Sequence, residues 1–265
     1  MTLAAAGLLS CTGTGQSAFD PASVADASGE VTRVEPLSWW TGMQTPLQLL
    51  VNGAGIAAYD VRIEGGQGVG GKARHKADSP NYLFVDVEVQ PDAEPGTYYL
   101  VFSQGERQFK VPYEIAARAE GSVARRSFTT ADMIYLLMPD RFANGDASND
   151  STPHTRERAD RSAFFGRHGG DLQGMIDHLD YIAGLGATAV WPTPLLLDDE
   201  PEGSYHGYAC GDYYRIDPRF GSNELYREFV GKAHDHGLKV IMDIVTNHCG
   251  TGHWLSLIHI SEPTR

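Results

Sequence analysis

Two hydrophobic periods divide this chain. Between residues 31 and 116 apolar and polar positions alternate in short runs: LQLLV (47–51), YDVRI (59–63), YLFVDVEV (82–89), TYYLVF (97–102) and FKVPYEI (109–115). Period-two alternation gives a strand one buried and one solvated face. In the third run Leu83, Val85, Val87 and Val89 share a face, while Asp86 and Glu88 point away. Gly65-Gly66, Gly70-Gly71 and Pro95-Gly96 punctuate the runs as turns. Short strands at this spacing over about 85 residues predict an immunoglobulin-like β-sandwich. Residues 117–127, with Arg125-Arg126, read as a linker.

The pattern then changes. Residues 133–138 (MIYLLM) form a continuous apolar run, as expected of a strand buried on both faces. Leu172, Met175, Ile176, Leu179, Ile182 and Ala183 follow at helical spacing, and residues 188–191 read as a second buried strand. Ser222 is placed to N-cap another helix, which buries Leu225, Phe229, Val230 and Ala233 and stops at Gly237. A third strand is expected over 239–245 (KVIMDIV). Strands alternating with helices predict parallel βαβ units, in a barrel or a doubly wound sheet.

Composition narrows the function classes. With 34 acidic against 21 basic side chains the net charge is −13, and no local basic stripe is present, so nucleic acid is excluded as a partner. A hydrophobic fraction of 42% supplies enough apolar material for real cores. Residues 1–30 open on a short apolar run, MTLAAAGLLS, and continue in small polar residues. The run is too short to span a bilayer and reads as an export signal with a flexible tether, the alternative being a ragged gene start. Leu8-Leu9-Ser10-Cys11 resembles a bacterial lipobox, which would make Cys11 a lipidation site and the protein periplasmic or anchored to the envelope. Cys210 and Cys249 remain, either as a disulfide in an oxidising compartment or as two unpaired thiols. Residues 255–265 do not continue the preceding pattern. They resemble translated sequencing adapter and are expected to be a non-native tail.

In parallel α/β folds ligands meet the carboxyl ends of strands. Asn144, Asp146, Asn149 and Asp150 place four hard oxygen ligands within seven residues after the first strand, and Gly169 and Asp171 can add a carbonyl and a carboxylate. Such a set suits Ca2+ rather than Zn2+. On spacing alone turn chemistry is the commoner use of Asn-Gly-Asp, and Asp171 is placed as an N-cap. At the third strand's end, alternation puts Asp243, Val245 and Asn247 on one side. His248 lies just beyond as a hydroxyl donor or a structural histidine. Tyr208 is a stacking platform for a sugar face or ordinary loop packing. Trp39, Trp40 and Trp191 read as core, and Asp198, Asp199, Glu200 and Glu202 as a solvated loop run.

Ordered along the chain, several motifs resemble the α-amylase family of glycoside hydrolases, in its cyclomaltodextrinase and neopullulanase group. PLSWWTGM (36–43) resembles the opening of that group's N-terminal β domain. DRFANGD (140–146), GGDLQG (169–174), HGYACGDYYRIDPRFG (206–221) and DIVTNH (243–248) followed by Cys249-Gly250 resemble successive barrel motifs. The resemblance implies a β-sandwich (31–116) followed by an incomplete TIM-type (β/α)8 barrel, its first three βα units within 128–254. It implies a calcium site formed by Asn144, Asp146, Asn149, Asp150, Gly169 and Asp171. Tyr208 would stack under the sugar at the cleavage subsite, His248 would bond its hydroxyls, and Asp243 and Asn247 would organise the strand end. The full-length enzyme would act on α-glucan oligosaccharides and form a homodimer through its sandwich.

Retaining glycoside hydrolysis in this family needs a nucleophile and an acid about 5 Å apart, assisted by a third acid, and these three groups are carried after the fourth, fifth and seventh strands. No motif of that kind occurs in this sequence, and residues 128–254 are roughly half of the ~250 that a barrel takes. The chain is therefore expected to be the N-terminal part of an α-glucan hydrolase, inactive by itself, with catalytic carboxylates beyond residue 254. The rival expectations are a glucan-binding surface lipoprotein without catalysis and a calcium-stabilised surface module.

Overall fold

A computed structural model of the chain describes residues 30–122 and 127–258. Cys11, residues 123–126 of the expected linker, and residues 259–265 lie outside the described residues. The chain divides into two compact units, the first reaching Arg118 apart from residues 77–79, which group with the second.

Among the described residues the first unit holds eight strands: β1 (Arg33–Glu35), β2 (Ser38–Trp40), β3 (Leu47–Asn52), β4 (Asp60–Glu64), β5 (Val69–Lys76), β6 (Tyr82–Val89), β7 (Gly96–Gln104) and β8 (Arg107–Ala116). They form two four-stranded sheets, ordered β1-β3-β6-β5 and β2-β8-β7-β4. All five alternating runs are strands. Leu83, Val85 and Val87 are buried together with Leu49, Val51, Leu100, Phe102, Val111 and Ile115. The alternation therefore reports a real one-sided core.

Two expectations here are corrected. Gly70-Gly71 lies inside β5 rather than in a turn, where Lys72 bulges between Gly71 and Ala73. Period-two reasoning misses β5 because it is an exposed edge strand, and Lys72, Arg74 and Lys76 are the charges that discourage further pairing there. The tryptophans of β2 are not core. Trp39 is half-buried and Trp40 is 38% exposed, their rings 5.2 Å apart on an edge strand.

The second unit opens with β9 (Ile134–Leu137) and a single turn, α1 (Pro139–Phe142). After a long loop come α2 (Leu172–Asp177), α3 (Leu179–Gly184) and β10 (Ala189–Pro192). A small hairpin of β11 (Leu196–Leu197) and β12 (Asp212–Ile216), then α4 (Asn223–Asp235) and β13 (Lys239–Val240), complete it. The parallel sheet has the order β13-β10-β9. The chain's architecture is an immunoglobulin-like sandwich followed by part of an α/β barrel, of which the described residues hold three parallel strands and the helices after the first two.

The expected helix over 172–183 is interrupted at His178. Its ring Nδ1 lies 2.7 Å from Gly174 O, the carbonyl its backbone N–H would reach in an α-helix, and that N–H donates instead to Met175 O. The third strand is also shorter than its apolar run. Ile241 N donates to Val190 O, and the next rung on that side would require an N–H from Pro192, which has none. α4 behaves as expected, with the Ser222 side chain accepting from Leu225 N and Gly237 at φ +74° beyond its end.

Among the described residues, helices cover one face of the parallel sheet. Leu137 and Val190, with Tyr135 and Val240 against them, pack on Leu172, Met175, Leu179, Ile182, Phe229 and Ala233. The alternate residues Ile134 and Leu136 are 44% and 56% exposed. In register beside Leu136 stands Trp191, so the uncovered face is the one that leads to the strand ends.

Candidate functional site

At the carboxyl ends of β10 and β13 the chain gathers Trp191, Tyr208, Asp243, Asn247 and His248. Trp191 Nε1 donates to Asp243 Oδ2 at 3.0 Å, and the Tyr208 hydroxyl donates to the same oxygen at 3.2 Å. Trp191 is thus half-buried and polar in use rather than core. His248 Nε2 donates to Tyr208 O at 2.9 Å, and its Nδ1 lies 2.6 Å from Asn247 Oδ1. The Tyr208 ring stays 37% exposed. Burial, and then the Asp243 carboxylate, keep its phenol above the usual tyrosine range. Here His248 fixes the Tyr208 loop rather than offering a free donor.

The loop that carries Tyr208 is built from below. Gly207 sits at φ +78°, and a Cβ there would run into Pro194 O, so the turn admits glycine. Tyr208 N donates to His206 Nδ1 at 3.0 Å, which leaves the neutral ring its proton on Nε2. The preceding turn is clamped twice: Glu157 accepts from Ser204 N and Oγ at 2.6 Å each, and Arg167 Nη1 donates to Ser204 O at 3.1 Å. Asp198 accepts from Ala209 N at 3.1 Å and Glu200 N at 3.2 Å and is fully buried, which corrects its assignment to a solvated run. Burial raises its pKa.

Beneath them lies a buried ionic knot. Arg219 binds Asp217 through Nε at 2.9 Å and Nη2 at 2.7 Å, and donates further to Asp198 O and Glu157 O. Arg167, over the Phe220 ring, lies 3.7 Å from Asp217. Burial opposes ionisation of Asp217, yet the Arg219 and Arg167 guanidiniums hold its carboxyl below the usual range. None of these residues stood out as functional in the sequence. The available signal was Asp217-Pro218-Arg219, two opposite charges in a run that buries Ile216 and Phe220.

The second cluster is the loop after α1. Asn144 Nδ2 donates to Asp150 Oδ1 at 2.7 Å, and Gly169 lies so close that a Cβ would stand 2.6 Å from that oxygen. Asp171 caps α2 through Gly174 N at 2.6 Å and accepts from Gly145 N at 3.0 Å and Asp146 N at 2.8 Å. Asp146 Oδ1 accepts from Ser148 Oγ and N, and these bonds lower its pKa. Asn149 Oδ1 is buried without a hydrogen-bond partner. An orphaned amide oxygen beside a carboxylate and a backbone turn is the donor set of a hard cation. Among the described residues no group of three or more His, Cys, Asp or Glu is arranged for a metal, so a cation here would depend on the amide and carbonyl oxygens. Asn144, Asn149, Asp150 and Gly169 fit such an ion directly, whereas Asp171 is committed to backbone N–H groups.

Residues 33–119 match the N-terminal domain family of cyclomaltodextrinases, and residues 136–261, which contain both clusters, match the catalytic domain family of alpha amylases. The second unit belongs to the α-amylase family. A cyclomaltodextrinase from Thermoanaerobacter pseudethanolicus is 46% identical over 125 residues, covering 46% of this chain and 21% of that protein. Neopullulanase 2 from Thermoactinomyces vulgaris is 43% identical over 130 residues, covering 46% of this chain and 21% of its own. A solved alpha-amylase from Anoxybacillus is 42% identical with a TM-score of 0.43, covering 47% of this chain and 26% of that one. These matches span about a fifth to a quarter of each relative's length.

Proposed function

We propose that this chain supplies one wall of the sugar site of a retaining α-glucan hydrolase of the cyclomaltodextrinase or neopullulanase type, acting on cyclodextrins, pullulan or maltooligosaccharides. The observation that carries this reading is the Tyr208 ring, exposed at the strand ends yet fixed by Asp243 at its hydroxyl and His248 at its carbonyl. A preorganised aromatic face loses little freedom when a sugar's C–H face settles on it. Asp243 and Trp191 set the height of the ring, and Asn247 and His248 place amide and imidazole groups beside it. Retention requires a nucleophilic carboxylate and a protonated one about 5 Å apart, and in this reading both come from outside residues 30–258. The chain by itself then binds glucan without cleaving it.

Ca2+ would be held by Asn144, Asn149, Asp150 and the Gly169 carbonyl, while Asp171 and Asp146, bonded to backbone N–H groups and to Ser148, shape the loop around it. When bound it supplies charge to tie the first loop to α2, with no part in bond cleavage. With calcium at about 100 times its Kd the second unit gains about 2.7 kcal/mol. EDTA should therefore lower its Tm, and Asn149→Ala should remove the calcium response. Export with lipidation at Cys11 belongs to the same proposal, and a diacylglycerol mass on Cys11 is its test.

Calorimetric titration with maltoheptaose tests the reading. One site is expected, weakened about tenfold by Tyr208→Ala, equivalent to ~1.4 kcal/mol. No heat of binding, or hydrolysis of cyclodextrin by this chain alone, would overturn it.

A further inference from the structure

Cys210 and Cys249 flank the sugar-site residues, two positions after Tyr208 and one after His248. Both are free thiols here, Cys210 buried and Cys249 half-buried. The segments carrying them are laced together. Gly250 N donates to Cys210 O at 2.7 Å, His248 Nε2 to Tyr208 O at 2.9 Å, and the Tyr213 hydroxyl reaches His248 O at 2.8 Å and Val245 O at 3.0 Å. Gly250 is pressed so closely that a Cβ would stand 2.5 Å from Ala209 O. Standard backbone dimensions around the Gly250–Cys210 bond hold the two α-carbons within about 7.5 Å at the straight limit. Bending of that path at the carbonyl and the amide shortens the separation towards the roughly 4.4–6.8 Å range that a disulfide spans.

We infer that Cys210 and Cys249 are a redox-responsive pair whose disulfide staples the Tyr208 loop to the His248 strand end. Burial pushes the Cys210 thiol up to about 12, and the neighbouring Cys249 adds to that shift. Cys210 is therefore a poor first nucleophile, and the more exposed Cys249 opens the reaction. The Cys249 thiolate attacks a small-molecule disulfide, forming a mixed disulfide and expelling one thiolate, which takes up a proton. Cys210 then gives its proton to solvent as its sulfur attacks Cys249 Sγ and expels the second thiol. Two protein thiols are oxidised and one disulfide is reduced to two thiols. The cross-link closes a loop of about 40 residues and fixes Tyr208 against His248 whether or not a sugar is bound.

The test treats the full, folded chain with oxidised glutathione, quenches with N-ethylmaleimide and maps the peptides. The expected result is a peptide pair joined through Cys210 and Cys249, a loss of two mass units, and a Tm of the second unit raised by on the order of 10 °C over the reduced protein. Cys210→Ser should trap glutathione on Cys249, whereas Cys249→Ser should leave Cys210 unmodified. A glutathione adduct that persists on Cys249 in the parent chain would overturn the inference, as would alkylation of both thiols after oxidant. A disulfide that forms without raising the Tm would overturn the stapling. Because parent protein is compared with itself, the outcome stands even where a variant folds poorly, and none of these readouts depends on glucan binding.

Discussion

The two units treat their apolar strands differently. In the sandwich the clearest alternating run, β6, buries Leu83, Val85 and Val87 while Asp86 and Glu88 stay partly or fully exposed. In the parallel sheet the runs are apolar on both faces, yet helices cover only one, leaving Ile134 and Leu136 exposed. That face continues into Trp191 and Asp243, which hold Tyr208. A strand pattern that asks for two covered faces thus points to the face on which the Tyr208 cluster is built.

Breaking the ionic knot should have the largest effect and should be confined to the second unit. Asp217→Ala leaves Arg219 and Arg167 buried without their carboxylate, and should cost about 3–5 kcal/mol. In urea unfolding followed by unit-specific probes, only the transition of the second unit should move. Leu83→Ala is the mirror experiment, expected to cost about 2–5 kcal/mol in the sandwich transition alone. A variant that shifted both transitions equally would merge the two units energetically and dissolve the contrast.

These residues also mark what was legible beforehand. Period-two and helical spacing located five sandwich strands, β9, β10 and α4, because each has an amphipathic or apolar signature of its own. β5 was hidden because a charged edge strand has no buried face. The shortening of β13 was hidden because it depends on Pro192, a residue of the neighbouring strand. At the site, Tyr208, Asp243, Asn247 and His248 were found by their place after strands. The support from Arg167, Arg219, Glu157 and Asp198 was not, since it joins positions far apart in sequence and hydrogen bonds mostly to backbone.

A smaller effect is expected at the sheet edge. Lys239 Nζ contacts both Asp132 oxygens, at 2.9 and 2.8 Å, and this bond is the main reason the Asp132 carboxyl is held far below the usual range. A depressed folded pKa contributes stability that is complete above the unfolded value near 3.9 and is lost as pH falls towards the folded one. The stability difference between the parent and Asp132→Asn should therefore be constant from pH 7 to about pH 5 and shrink below about pH 4. Acid titration of the unfolding transition checks it, and a gap that widened on acidification would contradict the assignment.

The smallest effect is expected on the open face. Leu136→Ser should change stability by no more than about 0.5 kcal/mol and reduce binding of a hydrophobic dye, because the side chain already meets water. A cost above about 2 kcal/mol would mean that this face is packed in solution.

The most direct test of the account is amide hydrogen exchange of the whole chain with and without maltoheptaose. Slower exchange is predicted in residues 205–213 and 243–248, where Tyr208, Asp243 and His248 hold the site together, with the sandwich strands unchanged. Protection confined to the sandwich, or none at the strand ends at saturating sugar, would contradict the claim that the open face of the parallel sheet carries the glucan site.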